Sequence, residues 1–589
     1  MISTRRTCIL LALLYVLLAV TAFSSDLIFR VPVLDARENL ALAERIAKHD
    51  LPAEPFYRAL LYPWVLAHLP AKASLAPYLG LICHLFNALL CGAIAGLLWK
   101  RRAAAYTAGI LYAVYPVALF FSFQILDITF ALTWFLASLY CLVAAVDSRK
   151  YYFSLMAGGA VGLAVLARPN FLPVALFFPV GACVLEYWRA RIWGRALVKF
   201  AAVALPFGLL MMLQGVVNYR LSGELRVLPW QGSYNLYAAN RAGANGKFYQ
   251  QQVVFDRIPS GMNPTRMESV YLYQQTGNED VSIDAMGDYW RKALVESVRE
   301  DPARWIGLMG RKLLYLVNDW EQYNNLSYHY HKERLVLLKW NPLGWGILLL
   351  GSVISLLLAW RVADRGMLAG LLFLVAAYAA GVLLFFVSAR FRLPLASVLC
   401  VFCGGLVCVP WRALQPKQVV LSAACGIAVL FLSFGNWHEA RDRSTYIQDD
   451  LLLSNAASKL GEDHLALHYA EQGLNRSHER QDLLRVKVAS LFNLWMQAFD
   501  PAHSDSYWLE LEQTLPMLTQ DDASSLFIKG VALWRSGRRV DARMLWEQCI
   551  ERYGQDASMC RDAIAVTSGS LDDRMDPSVS DMWQRVLND

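Results

Sequence analysis

The chain has 589 residues, a mean hydropathy of +0.33 and only 17% charged residues. That combination excludes an ordinary soluble globular protein and describes a polytopic membrane protein. The net charge of +7 sits largely in short clusters between apolar runs, so nucleic acid is not an implied partner.

An apolar stretch of about 20 residues crosses the hydrocarbon core as a helix. Eleven spans are expected, at roughly 7–25, 76–98, 103–123, 125–146, 152–168, 170–187, 197–216, 341–360, 367–388, 393–411 and 418–436. Basic clusters fall before the first span and after every second one. They are Arg5 and Arg6; Lys100, Arg101 and Arg102; Arg149 and Lys150; Arg189, Arg191 and Arg195; Arg361 and Arg365; and Arg412 and Lys417. Excess Lys and Arg marks cytoplasmic loops. The N-terminus is therefore expected inside, with the first span an uncleaved signal anchor. Nine cysteines, from Cys8 to Cys425, fall in apolar runs and read as buried small hydrophobes. Cys549 and Cys560 lie in the polar tail, where a disulfide and two free thiols are both open.

This topology puts three long segments on one extracytoplasmic face: loops 26–75 and 217–337, and everything after 436. In the first loop Asp35 opens a short helix in which Leu40, Ala43 and Ala47 recur at helical spacing. Asp35 with Glu38 fits a capping box, and it also fits a general base exposed just outside the bilayer. Arg168, Arg390 and Arg392 fall on the outer side, against the inside preference for basic residues. They read either as snorkelling anchors or as an anion site, since the guanidinium fork grips phosphate bidentately. Asp127 at the start of the fourth span is a helix-dipole carboxylate, a partner for an arginine, or a metal ligand together with Asp35. In the second loop Trp230, Tyr234, Tyr237 and Tyr249 near Gly232, Gly243 and Gly246 suit a sugar or acceptor surface and an ordinary folded cap equally. Glu321 with Asn324 and Asn325 is a site candidate, whereas His329 and His331 are expected at the surface.

In the tail, Gly530, Leu533, Ala542 and Trp546 follow tetratricopeptide spacing, with a weaker copy over 452–475. A stack of helix pairs is expected, either a true tetratricopeptide-like repeat or a generic hairpin array. The expected domains are a transmembrane unit at 1–436 and a helical tail at 437–589.

Several motifs in fixed order resemble the GT-C membrane glycosyltransferases, narrowly the protein O-mannosyltransferase and lipid A aminoarabinose transferase branch. Asp35 after the first span is followed by Phe56-Tyr57-Arg58 and Leu61-Tyr62-Pro63 before the second. Then come Gln124 to Asp127, Leu166-Ala167-Arg168, the Gly/Asn-rich stretch from Gln231 to Gly246, Asp319-Trp320-Glu321 with Asn324, and Ala389-Arg390-Phe391-Arg392 with Pro394. The resemblance covers roughly 5–410. One departure is Leu60, where the family pattern has a proline. The resemblance implies an all-α GT-C-type bundle and transfer of a sugar from a polyprenyl-phosphate donor to an extracytoplasmic glycan, lipid or protein. It implies Asp35 as catalytic base. Arg58, Arg168, Arg390 and Arg392, with Asp127, Glu321 and Asn324, are its candidate substrate- and phosphate-binding residues. A divalent cation, Mg or Mn, stays open, because some relatives need one and others do not. A protein partner for the repeat domain is a further expectation. Rival readings are an oligosaccharide ligase or polymerase using a diphosphate-linked glycan, and a non-catalytic membrane assembly or transport protein.

Overall fold

A computed structural model describes residues 15–148, 150–248, 253, 263–279, 281–498, 500–568, 583 and 586. Arg5, Arg6, Cys8, Arg149 and Tyr249, named above, lie outside the described residues. The described residues form helices and turns with no strand, only one isolated bridge between Asn324 and Leu326. The fold is all-α and polytopic. Each expected span from the second onward coincides with a helix or a bent helix pair, and the described part of the first, 15–24, is helical. Among the described residues 7 helices are long and apolar enough to cross a membrane, or up to 9 if each bent pair is one span. The bent pairs are Tyr15–Ser24 with Leu27–Ala47, at 89°, and Arg102–Ala113 with Pro116–Ser122, at 56°. Tyr151–Ala167 and Trp345–Ala359 are apolar but shorter, at 17 and 15 residues. Pro116 explains the second bend: its missing N–H and fixed φ start a new helix and break the old one.

The chain divides into two compact units, one of residues 1–24 and 34–442, the other of 25–33 and 443–589. The second unit takes in residues 25–33, eight of which belong to the segment 26–75. Within that unit Leu27–Arg30 packs on Tyr446–Lys459, and Arg30 Nη1 donates to Glu462 Oε1 at 2.9 Å. In the described rest of the unit, most helices pack on the next in sequence. Gly530 is needed where the Trp546 indole crosses it, because a Cβ there would meet Trp546 Nε1 at 2.0 Å. The same indole donates to the Phe527 carbonyl at 3.1 Å.

In the membrane unit the helix Ala389–Cys403 is buried along its whole length. Its neighbours are Trp345–Ala359, Arg102–Ala113 and Lys72–Trp99, with Asp127–Ser148 and Arg365–Leu384 at its sides. Side chains bind its carbonyls directly: Ser352 Oγ to Leu399 at 2.9 Å, Ser355 Oγ to Phe402 at 2.7 Å and Trp99 Nε1 to Val401 at 3.0 Å. Such bonds fix a helix in register where apolar packing alone would let it slide.

The second outer loop folds as a helical cap around Tyr234, Ala238, Tyr273, Met286 and Trp290. Tyr234 and Tyr237 pack on Trp290, so of the two readings of these aromatics the structure has them in the cap's core. Asn240 ties the cap together. Its Oδ1 accepts from Lys312 Nζ at 3.0 Å and Trp305 Nε1 at 3.2 Å, and its Nδ2 donates to the Leu384 carbonyl at 2.7 Å. Gly246, at φ +91, lets the chain turn tightly against Lys312. Burial pulls the Lys312 ammonium down to about 7. The unfolded chain keeps this lysine protonated to about pH 10.4. Between those values the unfolded state holds more protons, so the cap gains stability as pH rises, by about 1.4 kcal/mol per pH unit. Thermal unfolding in detergent between pH 7 and pH 9 is expected to show that slope, and Lys312→Met is expected to flatten it.

Candidate active site

Asp35 is the first residue of the helix Asp35–Ala47. The residue before it, Leu34, stands at φ +48 and makes no side-chain cap. The capping-box reading is therefore corrected: Asp35 lies inside the first turn, and its carboxylate is turned away from the free N–H groups toward two guanidiniums. Oδ1 accepts from Arg58 Nη1 at 3.2 Å and Oδ2 from Arg390 Nη1 at 2.8 Å. Arg58 comes from the turn before Leu61–Ala67, which packs on the Asp35 helix through Ala36, Ala43, Tyr62 and Leu66. Arg390 comes from the first turn of the buried span.

Two further carboxylates complete the cluster. Glu38, one turn after Asp35, shares Arg58 Nη1, and its Oε2 accepts from Asn263 Nδ2 at 3.0 Å. Asp127, the first residue of its span, accepts from Arg168 Nη1. The Arg168 guanidinium lies over the Phe391 ring at 5.1 Å, beside Arg390. Asp127 is close enough to act electrostatically on both Arg58 and Arg390. Asp35, Arg58, Arg168, Arg390 and Asp127 thus form one group with Glu38. The three carboxylate side chains are 15–17% exposed, so water reaches them, while Arg168 and Arg390, at 6–7%, lie deeper. Burial pushes the Asp35 carboxyl up, but Arg58 and Arg390 outweigh it and hold it well below the usual carboxylate range.

Arg392, two residues on, sits elsewhere. Its Nη2 pairs with Glu321 Oε2 at 2.7 Å and donates to the Trp320 carbonyl at 3.1 Å, its Nε donates to the same Glu321 oxygen at 3.2 Å, and its Nη1 reaches the Asn318 carbonyl. The Trp345 ring lies 4.6 Å from its guanidinium. At 1% side-chain exposure it has no surface left for a ligand, so its expected phosphate contact is corrected to a brace on the outer loop. Glu321 takes a second bond from Tyr115 Oη at 3.2 Å. Burial raises the Glu321 carboxyl above its ordinary value, against the pull of Arg392. Asn324 is buried beyond this brace, in the bridge to Leu326, with its Oδ1 making no hydrogen bond among the described residues. The backbone is zipped at the same place, Ala389 N to the Gln322 carbonyl at 3.0 Å, and Ser388 caps the helix by accepting from Phe391 N at 3.4 Å. Arg392 and its partners therefore set the first turn of the span, and that turn aims Arg390 at Asp35.

The histidines also differ from expectation. His331 is fully buried, and His329 stacks on Trp320 with ring centroids 3.8 Å apart while accepting from Glu321 N at 3.0 Å. Among the described residues no three His, Cys, Asp or Glu side chains are grouped to hold a metal ion. Asp35 and Asp127 each face a guanidinium, a poor surrounding for a divalent cation. The roles of Glu38 and Asn263 were missed in the sequence. The signal for Glu38 was its place three residues after Asp35, on the same helix face; nothing marked Asn263.

No family model matches the chain, and no curated protein matches it. Solved structures do. The oligosaccharyltransferase of Archaeoglobus fulgidus in its apo form is 13% identical, over 84% of this chain and 59% of that one, with a TM-score of 0.37. The oligosaccharyltransferase AglB from Archaeoglobus fulgidus, in complex with an inhibitory peptide and a dolichol-phosphate, is 13% identical over the same shares, with a TM-score of 0.31. ArnT from Cupriavidus metallidurans in the apo state is 16% identical, over 67% of this chain and 78% of that one, with a TM-score of 0.27. The chain spans 59% of the length of the two archaeal structures.

Removing one partner of a buried ion pair leaves the other charge uncompensated, at a cost of about 3–5 kcal/mol. Arg392→Ala is accordingly expected to lower the apparent unfolding temperature in detergent sharply. Arg390→Ala is expected to do so far less, because Asp35 keeps Arg58.

Proposed function

We propose that the chain is a GT-C-type membrane glycosyltransferase that moves a sugar from a polyprenyl-phosphate carrier to an acceptor hydroxyl outside the cytoplasm. The observation that carries this reading is Asp35, accessible to water and held between Arg58 and Arg390, with Arg168 beside them. A carboxylate next to a group of guanidiniums suits a displacement in which a hydroxyl loses its proton while a phosphate leaves. The motif order described above supports it independently.

In the proposed step the acceptor oxygen forms a bond to the anomeric carbon and the bond from that carbon to the phosphate oxygen breaks. Asp35 takes the acceptor proton. Arg390 and Arg58, with Arg168 behind, neutralise the departing polyprenyl phosphate, which is acidic enough to leave without a proton donor. A single displacement inverts the sugar. Asp127 and Glu38 hold their arginines in place, and Glu321 with Arg392 holds the turn that carries Arg390. In this reading the enzyme sits in a bacterial inner membrane with its site and its tetratricopeptide-like unit on the periplasmic side. Repeat units of that kind present extended concave surfaces, which suits a protein partner or a glycan or protein acceptor.

The test is transfer from a radiolabelled polyprenyl-phosphate sugar by protein in nanodiscs, with membrane extract as acceptor. Asp35→Asn is expected to fold with lowered stability, because Arg390 loses its charged partner, and to lose transfer by about 10²–10⁴-fold. Full turnover in that variant excludes Asp35 as base, and retained anomeric configuration in the product excludes the single displacement.

A further inference from the structure

The six charged groups of the site balance: Asp35, Glu38 and Asp127 against Arg58, Arg168 and Arg390. A phosphate site should carry surplus positive charge, and among the described residues this cluster carries none. The surplus is neutralised from within. Each guanidinium has a carboxylate on at least one Nη, while the Nε atoms of Arg168 and Arg390 are buried and make no hydrogen bond among the described residues. Those two donors are unfilled, and the carboxylates occupy the places an oxyanion would take. We propose that Asp35 is a placeholder as well as a base: the donor's phosphate displaces it from Arg390 and Arg58, and the displacement frees it to accept a proton.

This deepens the reading above and rests on it. In the resting site Asp35 accepts two charge-assisted bonds and is a poor base, since Arg58 and Arg390 overcome the effect of burial on its carboxyl. A phosphate competing for the same Nη groups weakens both bonds, and Asp35 regains its proton affinity only when donor is bound. Proton abstraction from water or from a premature acceptor is thereby suppressed in the empty enzyme. Glu38 has a different part. It holds Arg58 together with Asn263, so Arg58 keeps a partner as Asp35 leaves. Glu38 is a positioning residue, and its bond to Asn263 links the second outer loop to the site.

The consequence is opposite to that of an ordinary binding residue. Removing the charge of Asp35 removes a competitor, so Asp35→Asn is expected to bind an unglycosylated polyprenyl monophosphate about tenfold or more tightly than the parent, although it cannot transfer. Arg390→Ala is expected to bind it more weakly. Titrations of full-length protein in nanodiscs with the polyprenyl monophosphate, and with inorganic phosphate to separate headgroup from tail, read this directly. Unchanged or weaker binding by Asp35→Asn, with clear binding by the parent, overturns the placeholder and leaves the glycosyltransferase reading standing. Absence of polyprenyl phosphate binding in the parent overturns both.

A separate observation concerns the C-terminal unit. Cys549 and Cys560 are both fully buried, on Arg539–Tyr553 and Ser558–Thr567, with their Sγ atoms 2.9 Å apart. Both also face the Ala523 carbonyl, at 3.7 and 4.0 Å. We infer that they are joined as a disulfide in the mature protein. Two thiols lose two protons and two electrons to the disulfide of an extracytoplasmic thiol oxidoreductase, which becomes a dithiol. The expected result, on full-length protein denatured in alkylating reagent, is that both cysteines resist labelling until a reductant is added. Labelling of both without reductant overturns the disulfide.

Discussion

Charges next to a bilayer must be paired or hydrated, and here that requirement decides which parts of the chain meet. Asp35, Arg58, Asp127, Arg168 and Arg390 come from five separate stretches. None could rest in its present place alone: a buried guanidinium without a partner would cost several kcal/mol. Paired, they draw the segment 26–75, the ends of three helices and, through Glu38 and Asn263, the segment 217–337 into one cluster. The geometry that suits a reaction is also the geometry that makes those charges tolerable.

The buried span Ala389–Cys403 gives this cluster its fixed point. A helix surrounded by others has no lipid-facing side on which to rotate. Serine and tryptophan side chains grip its carbonyls, while Arg392, Ser388 and the backbone bond to Gln322 hold its outer end. Two arginines two residues apart thus have unlike fates. Arg392 spends every donor on the protein, and Arg390 keeps an Nε unfilled.

Apolar runs and basic clusters made the helices legible, because hydrophobic length and the charge rule act locally along the chain. The candidate residues were legible as types and order. Which arginine faces which carboxylate was not, since that depends on the twist between helix ends far apart in sequence. Arg390 and Arg392 look equivalent in the string Arg-Phe-Arg, and only the packing of Trp345 and Glu321 separates them. His329 and His331, two apart, lack the further ligands a metal would need, so the string reads as surface residues. The burial of His331 comes from Phe120, whose ring lies 5.4 Å away and 211 positions earlier in the chain. Asn263 carried no local signal at all.

Leu34 has a consequence for how the cluster opens. A leucine at positive φ carries about 1–3 kcal/mol of backbone strain, and no side chain caps the helix that follows it. What keeps the strained bond in place is the grip of two guanidiniums on the next residue, aided by Ala36 and Ala43 against Tyr62 and Leu66. The arrangement is a loaded spring with an ionic latch. In the displacement proposed above, relief of that strain would act in the same direction as the incoming anion.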